Sequence, residues 1–211
     1  MSEHKADYIP QLIEKLKYPR PQTSSVSSDS DLYPYGRVTA DEARASGKVK
    51  HEAAVTLLLS PFNDRWMALF IKRNSYGIHG GQIALPGGKR DEGESFERTA
   101  LRELQEETGV KINPENLICR LNEIFIIPSK FVVQPFVAFT DHTPCLTPNH
   151  QEIEKAFWID LEDILSAEIL PHRVTPSGGT DLISVNAYKL NDEFIWGATA
   201  IMLEDFRKRL Q

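Results

Sequence analysis

The segment from Ser95 to Gly109 constrains this chain more than any other. Ser95 has the short polar side chain that caps a helix N-terminus, and Gly109 is the residue type that leaves a helix through a left-handed turn. Between them, Phe96, Ala100, Leu101 and Leu104 recur at helical spacing and define one apolar sector. Glu103, Glu106 and Glu107 stand at i, i+3 and i+4, so at about 100° per residue they share the adjoining sector. The pattern predicts a helix lying on a core, with three carboxylates along the edge of its buried surface. Like charges at these spacings cost about 0.2–0.5 kcal/mol per pair, and the C-terminal end of the helix dipole disfavours each anion by another ~0.3–1 kcal/mol. For three glutamates alone, a solvated acidic face is the ordinary explanation. A hard cation with oxygen ligands, Mg²⁺ or Mn²⁺, is the explanation that removes both penalties.

Around this helix the apolar runs are short. Ala53–Ser60 and Trp66–Lys72 flank the turn-forming Pro61-Phe62-Asn63-Asp64 and predict paired strands. Gly77, Gly80 and Gly81 predict a flexible loop, Gln82–Leu85 a short strand, and Gly87-Gly88 a tight loop whose backbone can approach a metal or a phosphate. Further strands are expected over Leu117–Ile127, Phe131–Phe139, Ala156–Ile159 and Leu182–Leu190. Helices are expected over Tyr8–Lys17, Leu161–Ala167 and Ala198–Leu210, with a helical turn in Asp41–Ser46. This mixture predicts an α/β fold, a mixed sheet covered by helices. With 211 residues, 41% of them hydrophobic, the chain is long enough for one such domain over 51–211. Residues 1–50 then form an N-terminal helix and a polar surface connection packed on it, the stretch Pro21–Tyr35 being rich in Ser, Asp and Pro.

The chain carries 30 acidic against 24 basic residues, a formal net charge of −6. That balance argues against a nucleic-acid or membrane surface, and an anionic substrate would need local positive charge that bound metal supplies. No apolar run reaches membrane-spanning length. Cys119 and Cys145 fit no metal-ligand spacing and are expected to be reduced, partly buried thiols. With no apolar stretch behind Met1–Asp7, the expected location is cytoplasmic. A homodimer is a possible assembly.

Read outward from the helix, the chain has Gly88, five residues, Glu94, seven residues, then Arg102-Glu103-Leu104-Gln105-Glu106-Glu107-Thr108-Gly109-Val110. This resembles the Nudix box, G-x5-E-x7-R-E-U-x-E-E-x-G-U with U aliphatic, at every specified position. Seven fixed positions coincide by chance on the order of 10⁻⁸ per start site, so accident is excluded. The resemblance implies an α/β/α sandwich with a catalytic loop-helix-loop, and a pyrophosphohydrolase that uses Mg²⁺ or Mn²⁺ on a small nucleotide substrate. It implies that Glu103 and Glu107 are the principal metal ligands, with Glu106 a ligand or an anion just behind them and Gly87 close to the metal. Arg102 would hold a glutamate in place, Glu94 would fix the loop through Arg102, and Gly109 would end the helix. The general base is Glu103 or a glutamate of a later loop, for which Glu152 is the candidate.

The likeness continues upstream. Leu69, Arg73, Gly81, Pro86, Gly87 and Gly88 fit the segment L-L-T-x-R-[SA]-x3-R-x3-G-x3-F-P-G-G of the coenzyme A pyrophosphatases, which points to Arg73, Gly88 and Lys89 as substrate contacts. Phe70, Ile71, Asn74 and Leu85 depart from it, the loop is one residue shorter, and residues 74–88 contain no Arg or Lys to replace the second arginine. Coenzyme A or its acyl derivatives are the expected substrates, with ADP-ribose or a dinucleotide as the alternative. A nucleotide-sensing module without catalysis is the alternative of another class, and the complete set of box carboxylates argues against it. Elsewhere, Trp158 and Trp196 are assigned to the core, His142 and His150 to a Pro-rich loop, and Pro176-Ser177-Gly178-Gly179 to a flexible loop.

Overall fold

The structure, a computed structural model, describes residues 8–17, 32, 38–76, 79–175 and 181–210. Gly77, the 176–179 loop and most of the 21–35 connection lie outside the described residues. The elements run α1 (Tyr8–Lys17), α2 (Ala40–Ala45), β1 (His51–Phe62), β2 (Arg65–Arg73), β3 (Ile83–Ala84), β4 (Gly87–Lys89) and α3 (Phe96–Thr108). They continue with β5 (Leu117–Arg120), β6 (Ile124–Ile126), β7 (Phe131–Phe139), β8 (Ile153–Asp160), α4 (Leu161–Ser166), β9 (Ile169–Val174), β10 (Ile183–Leu190), β11 (Glu193–Trp196) and α5 (Gly197–Leu210).

Strands β1 and β2 form a hairpin turned by Asn63 and Asp64, both at positive φ (47° and 60°), as a tight hairpin connection requires. They pair only near the turn, Leu59–Phe62 against Ala68–Arg65. Beyond it they part, and residues 83–89 occupy the gap, β3 along Ile71 and Lys72 of β2, β4 along Ala53–Val55 of β1. Gly87 and Gly88 are therefore strand residues inside a split hairpin rather than the tight loop expected from sequence. β7 runs parallel to β1 along its length, and β5, β6 and β8 complete a mixed eight-stranded sheet. The strand expected over Leu117–Ile127 is broken. Pro135 on β7 has no N–H for the ladder there, and Asn122 turns instead to Asp205 of α5, its N–H 2.7 Å and its Nδ2 3.1 Å from the carboxylate. β9, β10 and β11 form a separate antiparallel sheet; its outer strands were not expected, one containing Pro171 and the other only four residues long.

The twofold alternation of β1 places successive residues on opposite faces. Ala53, Leu57 and Leu59 share a core with Leu12 and Leu16 of α1 and Met202 and Phe206 of α5. Ala54 meets Ala100, and Leu58 meets Leu104, both on α3. Each of the leucine, methionine and phenylalanine side chains among these contributes about 1.5–3 kcal/mol when fully buried. Helices thus cover both faces of the sheet, as the expected sandwich requires. α2, capped by Thr39 and Glu42 in a reciprocal box, buries Ala40 and Ala43 against Phe125 and Val132. Among the described residues no helix is long and apolar enough to cross a membrane.

Candidate active site

The carboxylate helix is built as its ends predict. Ser95 accepts from the Arg98 N–H at 3.2 Å, and Gly109, at φ 75°, donates its N–H to Gln105 O at 2.9 Å. The helix lies over β1 and β4, so its acidic edge meets the two glycines in the hairpin gap. Gly87 stands at φ 151°, where a Cβ would collide with the Ala54 carbonyl and Val55 Cα. Its N–H donates to Glu107 Oε2 at 2.8 Å. At Gly88 the space a Cβ would fill is taken by the Glu103 carboxylate. The glycine pair therefore admits two glutamates to the floor of the site, and Gly87, expected beside the metal, meets Glu107 through its N–H.

Glu107 is 3% exposed. Burial pushes its carboxyl up to about 8 despite the Gly87 N–H and Arg73, whose Nη1 is 3.9 Å from Glu107 Oε1; the charges of Glu103 and Glu152 push it further the same way. Glu103 is also raised, by burial first and then by Glu106 and Glu152, against the pull of Arg102. The turn carrying Glu152, 45 residues along the chain from Glu107, thus brings its charge to the same cluster. Asn149 Nδ2 donates to Glu152 Oε1 at 3.0 Å.

Arg102 uses all five of its N–H donors. Nε and Nη2 take Glu94 at 3.1 and 3.0 Å, Nη1 takes Glu103 at 2.7 Å and Glu106 at 2.9 Å, and Nη2 also reaches Lys89 O at 3.0 Å. Glu94, held further by Thr99 Oγ1 at 2.8 Å, is drawn down to about 2, the Arg102 hydrogen bonds being the main cause. Glu106 turns to Arg102 and is half exposed, so it stands apart from Glu103 and Glu107. Among the described residues, no three His, Cys, Asp or Glu side chains converge as they stand into a cation cage. The donor chemistry nevertheless fits a hard cation. Glu107 is buried and Glu103 half-buried, both offer carboxylate oxygens, and their mutual repulsion is answered by guanidinium groups and one backbone N–H.

Beside the glutamates opens a cleft of about 410 Å³. Arg73, His79, Gly87, Gly88 and Lys89 lie at one end, and Trp196 and Phe125 line it further on. His79 is held neutral-leaning, its proton affinity lowered by burial and by Arg73. Trp196, assigned to the core from sequence, is half-buried and faces this cleft, whereas Trp158 packs against the core as expected. The position of Trp196 between a strand and Gly197 was the one available cue. Asn149 was also missed, since nothing local distinguishes it. Cys119 is half-buried, and burial pushes its thiol up to about 11. Cys145 is exposed, correcting the expectation that both are buried; it sits in a loop with little apolar surface to cover it. His142 pairs with Asp141 at 2.6 Å in solvent, and His150 with Glu154 O at 3.2 Å.

The fold class is a sandwich whose covering helix lowers carboxylates onto a glycine strand, beside an arginine and an open cleft. The chain belongs to the NUDIX domain family, whose model matches residues 50–177. It is 31% identical over 104 residues to the mouse "Peroxisomal coenzyme A diphosphatase NUDT7", covering 49% of this chain and 44% of that protein. It is 34% identical over 99 residues to the Caenorhabditis elegans "Peroxisomal coenzyme A diphosphatase ndx-8" (46% and 42%), and 28% over 131 residues to the human "Mitochondrial coenzyme A diphosphatase NUDT8" (61% and 55%). The chain spans about half the length of these relatives. A MutT/nudix family protein from Enterococcus faecalis superposes with a TM-score of 0.54 at 22% identity, over 89% of this chain and 75% of that one, which speaks for the fold.

Proposed function

We propose that the chain is a metal-dependent pyrophosphohydrolase of nucleoside diphosphate derivatives, with coenzyme A or an acyl-CoA as substrate. The observation that carries the reaction class is the pair of half-buried Glu103 and buried Glu107 set on Gly88 and Gly87, glycines that also line the cleft holding Arg73, with Glu152 acting electrostatically on both. The likeness to three proteins named coenzyme A diphosphatases supports the substrate. Glu103 and Glu107 would hold the cation, which when bound neutralises phosphate charge and acidifies a water. Arg102 locks Glu103 in place, and Arg73 meets the substrate's phosphates with a charge-assisted fork. The Glu152 carboxylate takes the proton of the attacking water. The water oxygen bonds to one phosphorus, the bridging P–O bond breaks, and coenzyme A leaves as 3′,5′-ADP and 4′-phosphopantetheine, or its acyl form. Because residues 74–88 contain no Arg or Lys for the 3′-phosphate, ADP-ribose or a dinucleotide is the second reading. Turnover of a nucleotide panel, with products identified and Mg²⁺ or Mn²⁺ added after chelation, tests both. Cleavage of ADP-ribose or NADH with coenzyme A untouched would remove the coenzyme A reading, and undiminished turnover in chelator would remove the metal-dependent mechanism. The cytoplasmic expectation draws no support from relatives named peroxisomal and mitochondrial.

A further inference from the structure

The Glu152 turn, between β7 and β8, is tied down at both ends by residues the reaction does not otherwise use. At its start it docks on the end of α3, where the last carbonyls of a helix lack partners. Thr147 N–H donates to Thr108 O at 2.8 Å and Asn149 N–H to Glu107 O at 2.9 Å. Asn149 then closes the turn. Its carbonyl accepts from the N–H groups of Glu152 at 2.9 Å and Ile153 at 3.0 Å, its Oδ1 accepts from Gln151 N–H at 3.2 Å, and its Nδ2 grips Glu152 Oε1 at 3.0 Å. At the crest, residues from just beyond β2 reach over. Asn74 Nδ2 donates towards His150 O at 3.4 Å, Gln151 O at 3.3 Å and Tyr76 Oη at 3.1 Å, and the Tyr76 hydroxyl donates to Gln151 O at 2.7 Å. Tyr76 is 69% exposed, so packing does not explain where its hydroxyl is aimed. Asn74 is one of the positions at which the chain departs from the coenzyme A pattern.

The Asn149–Glu107 backbone bond sets Glu152 beside the glutamate helix, but Glu152 itself is exposed, and an exposed side chain keeps one position only where something holds it. We propose that Asn149 and the Asn74–Tyr76 pair are positioning residues that hold Glu152 against Glu103 and Glu107. The inference rests on the reading of Glu152 as the proton acceptor. It links the loop after β2 to the base: the strand that presents Arg73 to the substrate also steadies the glutamate that activates water.

The test is a set of double-mutant cycles, with coenzyme A as substrate or ADP-ribose if coenzyme A is not turned over. Glu152→Gln is expected to lower kcat at least about a hundredfold. Asn149→Ala, which removes a donor to a charged group, lowers it roughly tenfold to a hundredfold, and Asn74→Ala and Tyr76→Phe about threefold to tenfold. KM and the Mg²⁺ concentration at half-activity stay within about twofold, and in the Glu152→Gln background each loss shrinks to under about twofold. Tyr76→Phe keeps the ring and serves where an alanine variant unfolds. Equal losses with and without Glu152, or unchanged kcat in an enzyme that Glu152→Gln disables, would overturn the positioning role and leave the base standing. Wild-type turnover by Glu152→Gln would overturn the base and the positioning role together.

Discussion

At the residue scale buried Glu107 and half-buried Glu103 have different burdens. Glu107 has one backbone N–H and a distant guanidinium, while Glu103 has Arg102 at 2.7 Å. Removing charge from Glu107 therefore relieves desolvation, and Gln can still accept from Gly87. Glu107→Gln is expected to leave the metal-free protein at least as stable by thermal melting while raising the metal concentration needed for half-activity. Glu103→Gln keeps the fold and lowers turnover by at least ~10²–10⁴, measured at saturating metal. Near-wild-type turnover in both variants would show that the chemistry is not on this helix. The cysteines offer a separate check on the packing: a maleimide should label Cys145 and spare Cys119 until denaturant is added, because only Cys145 is exposed and the Cys119 thiol is held up at about 11.

The element that matters most is α3 with the loop leading into it. Arg102 stitches them together through Glu94, whose carboxyl lies at about 2 in the fold against an ordinary 4.5. Between those values the unfolded chain binds more protons than the folded one. The contribution of Glu94 is therefore fully present above about pH 5 and is lost as pH falls through 4.5 toward 2. Comparing urea midpoints across that window, Glu94→Gln should show a shallower acid loss than wild type. Parallel curves would mean that other carboxylates set the acid limb.

For the whole molecule, the site depends on a hairpin that opens. Because β1 and β2 separate after four pairs, the strand of residues 87–89 can enter the sheet beneath α3, with the cleft beside it. Cation binding would relieve repulsion between elements already in place, so it should stabilise the fold. At about 100 times its dissociation constant the ion adds about 2.7 kcal/mol, or roughly 5–10 °C in a chain of this size. A melting temperature that stays the same from chelator to millimolar Mg²⁺ and Mn²⁺ would count against Glu103 and Glu107 as a preformed site.

The features legible in sequence are those set within a few residues. The capped helix, its acidic edge and the alternating strands follow from periods of 3.6 and 2 and from end signals at fixed offsets, while the brace of Arg102 on Glu94 was reached through resemblance. Glu152 was reached through resemblance, but Asn149, Asn74 and Tyr76 as its neighbours were not, and neither was Trp196 as a wall of the cleft. Nor did local pattern reveal that Gly87 and Gly88 form a strand, or that the 117–127 segment breaks opposite Pro135. These depend on which strands pair and in what register, and on which turns land on the end of α3. Period and propensity act along the chain; the cleft is made across it, where residues 73, 88, 125 and 196 come together only because the strands have paired.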